Sequence, residues 1–353
     1  MLNQYFRVPF ADSGDKAAIP EPTQVGGEVS YTQGFGPDYE LPYSNANSKD
    51  IPRDQSNQLY YAVTKALQEY QQNGVPDWID PTQNSGVNFP YPLGARVRYS
   101  DGKIYISQKA ANNSLPTVAA DWAEETGRLV RTSVYVLIAG VQNVIHNGAA
   151  PTTTGAGTHT RLAGTKYLRT RVQGGGSGGA GSVATAGLVS MGAPGSSGSY
   201  AEALFTAAAF GASQTITVGA GSAGSSGVAG STSSVGSLTT APGGTGASAL
   251  LNQSAPSFNG NGTAAGSPSG ANLFGVIGRS PFVTVALSTS AGYGGAGGSS
   301  LFGQGAAGPA INVNGVNATN YGSGGSGTVV NNSGGTATGG AGAGGIIIIE
   351  EFQ

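Results

Sequence analysis

The side chains of this sequence with chemistry to offer are two histidines, His146 and His159, and a scatter of carboxylates. Glycan hydrolysis asks for two carboxyl groups about 5–9.5 Å apart. Glu202 stands isolated, while the adjacent Glu350 and Glu351 point to opposite sides of an extended chain. Asp77, Asp80, Asp101, Asp121, Glu124 and Glu125 lie upstream and read as solvated turn or edge residues. His146 and His159 are separated by a loop-rich segment, a pattern of surface or hydrogen-bonding histidines rather than of a metal site. Asp12-Ser13-Gly14-Asp15 matches neither a full calcium loop nor a phosphate cradle. The absence of cysteine removes thiolate chemistry, cysteine metal sites and disulfides. No glycine-rich loop is followed by Lys-Ser/Thr or sits in the strand-helix unit of a nucleotide fold. The expectation is therefore a protein without catalysis, cofactor or metal.

What must position these residues is an unusual backbone. Most of the 61 glycines lie between Gln173 and Gly345, interleaved with Ala, Ser, Thr and Asn. Short runs place glycine at every third position: Gly175, Gly178, Gly181; Gly221, Gly224, Gly227, Gly230; and Gly339, Gly342, Gly345. A three-residue period is that of a polyproline-II helix, whose bare glycine face lets another backbone approach. A disordered Gly/Ser tract is the alternative. Thr215-Ile216-Thr217-Val218, which alternates before entering glycine, and the four isoleucines Ile346–Ile349 weigh for order, because such β-branched runs left exposed would aggregate. From Val172 onward the charged side chains are Glu202, Arg279, Glu350 and Glu351, so the surface offers hydroxyls and amides with little field. Across the chain 16 Lys plus Arg stand against 18 Asp plus Glu, a formal charge of -2, which gives no general attraction for nucleic acid or anionic membrane. No apolar run has the length of a membrane span or the layout of a signal peptide.

In chain order, four segments emerge. Residues 1–88 read as an attachment arm and a helix. Pro9, Pro20, Pro22, Pro37, Pro42 and Pro52 keep the arm irregular, and Tyr5, Phe6, Phe10, Tyr31, Phe35, Tyr39 and Tyr43 are anchors for docking on a partner or a neighbouring subunit. Leu59, Ala62, Val63, Ala66, Leu67 and Tyr70 recur at helical spacing, with Ser56 as N-cap and Asn73-Gly74 as stop. Such a helix needs a second layer or symmetry mates. Residues 89–128 form a small β module with a hairpin turn at Asp101-Gly102. Its Tyr99, Tyr105 and Trp122 either stack on a sugar ring or make the core. Residues 129–172 supply connector strands, Ser133–Ile138, Val141–Ile145 and Thr165–Gln173, which pair with internal and terminal strands of the glycine-rich segment 173–353. Tyr200–Phe210 reads as either a helical turn or a strand.

The N-terminal residues Pro9-Phe10-Ala11, Gly34-Phe35, Gly74-Val75-Pro76-Asp77-Trp78 and Phe89-Pro90-Tyr91-Pro92-Leu93-Gly94 resemble the attachment region of tailed-bacteriophage tail fibre proteins. Gly94 to Trp122 is similar to the small carbohydrate-binding-like module often embedded there. Val172-Gln173-Gly174-Gly175-Gly176, Tyr293-Gly294-Gly295-Ala296-Gly297-Gly298, Tyr321-Gly322-Ser323-Gly324-Gly325 and Gly344-Gly345-Ile346-Ile347-Ile348-Ile349-Glu350 resemble the glycine-rich C-terminal domain of phage fibres and receptor-recognising adhesins. The resemblance implies a mainly β and irregular fold with packed polyproline-II-like helices, a homotrimer, and attachment to phage tail or baseplate proteins. It also implies recognition of a bacterial surface glycan or protein by a virion tail that is assembled in the host cytoplasm and acts at the host-cell exterior. Phe258, Asn259, Asn261, Leu273, Phe274, Tyr293, Leu301, Phe302, Asn317 and Tyr321, the large or amide side chains between glycine runs, are the candidate receptor contacts. A structural connector or cap and a surface-glycan depolymerase are the alternatives.

Overall fold

The computed structural model describes residues 6–353 apart from 85, 185, 225–227, 261 and 332–334. Tyr5, Gly227 and Asn261, singled out in the sequence, lie outside the described residues. The chain folds as two compact units, Met1–Glu125 and Thr126–Gln353, mainly β and irregular with one N-terminal helix. The connector strands thus belong to the same unit as the glycine-rich segment. Among the described residues no helix is long and apolar enough to cross a membrane.

In the first unit the helix runs Arg53–Asn73, beginning at Pro52 and ending at Gly74, whose φ of 68° accommodates the left-handed turn that closes it. Ser56 is therefore not the N-cap. The helix starts a turn earlier because Pro52 is already extended and its carbonyl accepts the first helical bond, from the Ser56 amide at 3.0 Å. The arm docks on this helix within the unit: the Phe6 amide donates to Gln71 Oε1 at 2.9 Å, Gln68 Nε2 donates to the Arg7 carbonyl at 2.9 Å, and the Phe10 amide donates to Thr64 Oγ1 at 2.8 Å. The small module is a three-stranded antiparallel sheet of Arg96–Arg98, Ile104–Ser107 and Trp122–Glu124. Its hairpin turns at Asp101-Gly102, where Gly102 has a φ of 80° and Asp101 Oδ1 accepts from the Lys103 amide. Trp78, Tyr91, Val97, Tyr105 and Trp122 form its core.

The second unit is built on a seven-stranded antiparallel sheet in the order Phe274–Val276, Tyr200–Thr206, Tyr167–Gln173, Ile346–Phe352, Leu129–Ile138, Val141–His146 and Thr152–Thr153. The isoleucine strand is central, bonded on one side to Leu129–Ile138 and on the other to Tyr167–Gln173. Its alternation buries Ile347, Ile349 and Glu351 beside Leu168, Thr170 and Val172. The opposite face carries Ile348 and Glu350 with Arg169 and Arg171. The buried face packs on a second sheet through Ile216 and Val235. Tyr200–Phe210 resolves into both readings, a strand Tyr200–Thr206 and a single helical turn Ala207–Phe210 capped by Thr206.

Glycine segments leave this sheet from one end. Residues 174–181 run outward from Gln173, and residues 193–199 return alongside them, with Ala180 N donating to Ala193 O at 2.8 Å and Gly174 N to Ser199 O at 2.9 Å. Residues 322–327 run out and residues 338–345 return in the same manner, with Gly340 N donating to Ser326 O at 3.0 Å. The contacts repeat every third residue. Gly175 and Gly178 abut the carbonyls of Ala220 and Ala223, Gly176 and Gly179 those of Ser323 and Ser326. Gly339, Gly342 and Gly345 abut the carbonyls of Gly179, Gly176 and Gln173 in antiparallel order. A Cβ at any of these would lie closer than 3.0 Å to backbone, a distance side chains do not adopt. The run from Gly221 to Gly230 is not a single face: Gly221 and Gly224 meet Gly342 and Gly339, while Gly230 lies on a returning segment against Gly175.

Gly342→Ala should therefore lower unfolding stability by about 3 kcal/mol or more through overpacking. Gly344→Ala, whose Cβ would meet Leu137 Cδ1 at an ordinary 3.6 Å, should change stability by no more than about 1 kcal/mol. Urea denaturation midpoints of the two variants check this pair.

Candidate functional site

The glycine segments connect turns at two ends of the array. One set, including Ser300–Gly303 and residues 319–321, lies at the sheet end, where the Ser300 hydroxyl donates to the Tyr321 carbonyl at 2.6 Å. The other set, including residues 287–291 and 253–256, lies beyond small sheets at the far end. There Ser257–Asn259, Thr284–Ala286 and Gly292–Tyr293 form a three-stranded sheet. Its inner residue Ala286 packs with Val189, Met191 and Val329. Its outer face sets Phe258, Val285 and Tyr293 side by side in register. Phe258 is 70 % and Tyr293 58 % exposed, and Val283 and Leu287 extend the same exposed row.

The candidate residues divide accordingly. Phe258 and Tyr293 are brought together on the far sheet. Phe274, Phe302 and Tyr321 instead gather at the sheet end around Tyr200, with ring centroids 6.1 Å (Tyr200–Phe274), 6.2 Å (Tyr200–Phe302) and 6.5 Å (Phe302–Tyr321) apart. Leu273 precedes Phe274 there, and Leu301 lies beside Tyr200 and Arg279. Asn259 is buried and donates to the carbonyls of Met191 and Ser248, so it braces the array rather than facing solvent. Asn317 is exposed, and its Oδ1 accepts from the Ala341 amide at 2.7 Å. Sequence reasoning passed over Val283, Val285, Leu287 and Tyr200. Alternation in Val283-Thr284-Val285-Ala286-Leu287 was the available signal, hidden by the shortness of the strand.

The carboxylates of this unit are engaged. Glu202, isolated in sequence, is not isolated in space: Arg169 Nε donates to it at 2.7 Å and the Tyr200 hydroxyl at 2.8 Å. Burial alone would raise the Glu202 pKa, but these donors hold it below its usual value. Arg171 bonds Glu350 at 2.9 Å on the same face. Glu351, fully buried, accepts from Arg131 Nε at 2.6 Å, the Leu162 amide at 2.7 Å and the Thr165 hydroxyl at 2.8 Å, and His159 Nε2 lies 3.1 Å away. The Tyr135 hydroxyl and His159 Nδ1 share a bond of 2.8 Å. Burial would raise the Glu351 pKa, yet its donors, His159 first among them, hold it at about 2, while burial pushes Tyr135 up to about 12. This cluster ties the central strand to the strand beginning at Leu129 and to the loop around Leu162. It has the form of a buried lock. Among the described residues no group of three His, Asp or Glu is arranged to hold a metal ion.

In the first unit Trp122 and Tyr105 are buried in the core, Trp122 Nε1 donating to the Ser114 carbonyl at 3.0 Å and the Tyr105 hydroxyl to Asp101 Oδ2 at 2.8 Å. Tyr99 is half-buried and, with Trp78, walls an open groove of about 660 Å³ lined also by Asp77, Asp80, Gln83 and Arg98. Glu124 and Glu125 form no acidic pair: Glu125 takes Arg96 and Glu124 takes Lys103. No protein-family model matches the chain, and no curated protein matches it in sequence.

Because the folded pKa of Glu351 lies below the unfolded value of 4.5, its contribution is complete above pH 4.5 and is lost as pH falls toward about 2. Thermal melts across that window should show a stability loss on the order of 3 kcal/mol that is missing in Glu351→Gln. An unchanged pH profile in that variant would contradict the lock.

Proposed function

We propose that this chain is a non-catalytic tail fibre protein of a tailed bacteriophage, joined to the tail or baseplate through its first unit and recognising a host-cell surface glycan or protein with its second. The observation that carries the reading is the uncharged outer face of Phe258, Val285 and Tyr293, held at the end of the glycine array opposite the sheet. Exposed aromatic rings on a rigid element lose little entropy on binding and stack on sugar faces or fill crevices in a protein. The three-residue repeat of inter-segment contacts supports reading the glycine segments as packed polyproline-II helices, a scaffold that needs no large side chains to be stiff. The engagement of Glu202, Glu350 and Glu351 with arginines supports binding over hydrolysis. Several copies on one particle turn weak contacts into avidity.

The test is saturable binding of the purified full chain to a panel of intact bacteria, run in parallel on cells stripped of surface glycan or of surface protein. Loss of binding after one treatment identifies the receptor class. Phe258→Ala and Tyr293→Ala should each weaken binding about tenfold without shifting the melting temperature. A folded chain that docks to the phage particle but binds no strain would replace this reading with that of a structural cap.

A further inference from the structure

The carboxylates of the second unit are each taken by an arginine: Glu202 by Arg169, Glu350 by Arg171 and Glu351 by Arg131. One cation is left over. Arg279, the only Lys or Arg that follows Arg171, is exposed, and its guanidinium has no hydrogen-bond or ion-pair partner among the described residues. Its backbone, by contrast, is fixed in the glycine array. The Arg279 amide donates to Ser197 Oγ at 2.8 Å, its carbonyl accepts from the Ser197 amide at 3.2 Å, and Gly298 abuts that carbonyl. The side chain stands at a cleft at the sheet end, walled in part by Gln173, Ser197, Ile277, Ser299 and Leu301. Bonding capacity of both kinds is unmet there. Gln173 is fully buried and its Nε2 donates to the Gly198 and Ser199 carbonyls at 2.8 Å and 3.2 Å, but its Oε1 has no partner. A buried acceptor left in this state is costly. The hydroxyls of Ser197 and Ser299 accept from the amides of Arg279 and Gly305, and neither donates a bond among the described residues. The interior of the cleft, about 10 Å³, admits one water-sized group. Ile277 and Leu301, each about half exposed, give it an apolar rim.

We propose that this cleft binds an acidic sugar, a pyranose carrying a carboxylate or phosphate, with the anion on Arg279 and a neighbouring hydroxyl in the cleft. The planar guanidinium presents paired donors that match either anion. A hydroxyl both donates and accepts, so one group meets both deficits, donating to Gln173 Oε1 and accepting from Ser197 or Ser299. An interior that holds one water-sized group takes a hydroxyl in place of a water, but not the planar amide of an acidic peptide. The apolar face of the ring then lies on Ile277 and Leu301. The charge of the unit favours the same ligand. Thr126–Gln353 carries seven Lys and Arg against three Glu, a net charge of +4, whereas Met1–Glu125 carries nine against fifteen acids, a net charge of -6. The second unit therefore draws anions toward its surface, and Arg279 is a cation there that no internal carboxylate occupies. This site goes beyond the tail-fibre reading, because it lies at the opposite end of the array from Phe258 and Tyr293 and recognises charge where that face recognises none.

Ligand-observed NMR titrations of the full chain with glucuronate and with glucose phosphate should show saturable binding of at least one, and the tighter of the two identifies the anion. Glucose, which lacks the anion, and acetate, which lacks the hydroxyl, should each bind about tenfold more weakly or worse. Arg279→Ala should weaken binding of the acidic sugar by a similar factor. Its melting temperature should be unchanged, since the side chain bonds nothing in the protein. Arg53→Ala, which removes an exposed arginine from the first unit, should leave binding as it is. A folded chain that binds neither acidic sugar overturns the site, and so does binding that Arg279→Ala leaves intact. Acetate binding as tightly as the acidic sugars also overturns it, by reducing the site to a lone surface cation. The titration uses no cells, so its result is independent of whether the far-end face binds bacteria.

Discussion

A carbonyl oxygen sits where a Cβ would otherwise be at glycine after glycine of the second unit, and the rest of the structure depends on that approach. Segment 174–181 is surrounded by backbone on several sides: residues 220–223, 193–196, 323–326 and 339–343 all touch it. Without side chains between them, the segments exchange amide-to-carbonyl bonds directly, so polar backbone that would be costly to bury is satisfied by its neighbours. Ordering each glycine costs about 1–2 kcal/mol of backbone entropy. Dense hydrogen bonding and van der Waals contact offset that cost, since little side-chain burial is on offer.

Such an array needs an anchor that sets its phase, and the seven-stranded sheet supplies it. Gln173, Tyr200 and Ile346 stand in register at the end of the sheet from which the glycine segments start. Gln173 Nε2 donates to the Gly198 carbonyl, and the Ser233 hydroxyl donates to the Gln173 carbonyl, stitching the two regions together. The charged residues of the unit concentrate in this sheet, where Arg131, Arg169 and Arg171 neutralise Glu351, Glu202 and Glu350. The far end is left uncharged and partly apolar, with Phe258, Val283, Leu287 and Tyr293 exposed.

Local signals in the sequence carried the strands well. Ile346–Phe352, Val141–His146 and the strand running into Gly174 are β-branched or alternating, and their partners follow from the need to cover a buried face. The pairing of individual side chains across long separations was the part that could not be read. Glu202 looked isolated because Arg169 lies 33 residues away, and Glu351 meets Arg131 across 220 residues. The same blindness governed the candidate site. Phe258 and Tyr293 share a face only because both pair with the strand around Val285, while Phe274, Phe302 and Tyr321 were drawn to the other end by turns whose direction no residue type announces. Asn259 could not be told from a surface amide, since its burial depends on Met191 and Ser248. Glycine at every third position did mark where backbones touch, although Gly230 meets a different neighbour, Gly175, from the pair Gly342 and Gly339 met by Gly221 and Gly224.

Amide hydrogen exchange on the full chain tests most directly whether close backbone packing orders the glycine segments. The amides of Gly175, Gly176, Gly179, Gly325 and Gly340 donate to carbonyls of neighbouring segments and should be protected by orders of magnitude relative to an unstructured peptide, close to the amides of Ile347 and Val172 in the sheet. Exchange of these glycines at the rate of a free Gly/Ser tract, with the sheet still protected, would contradict the account.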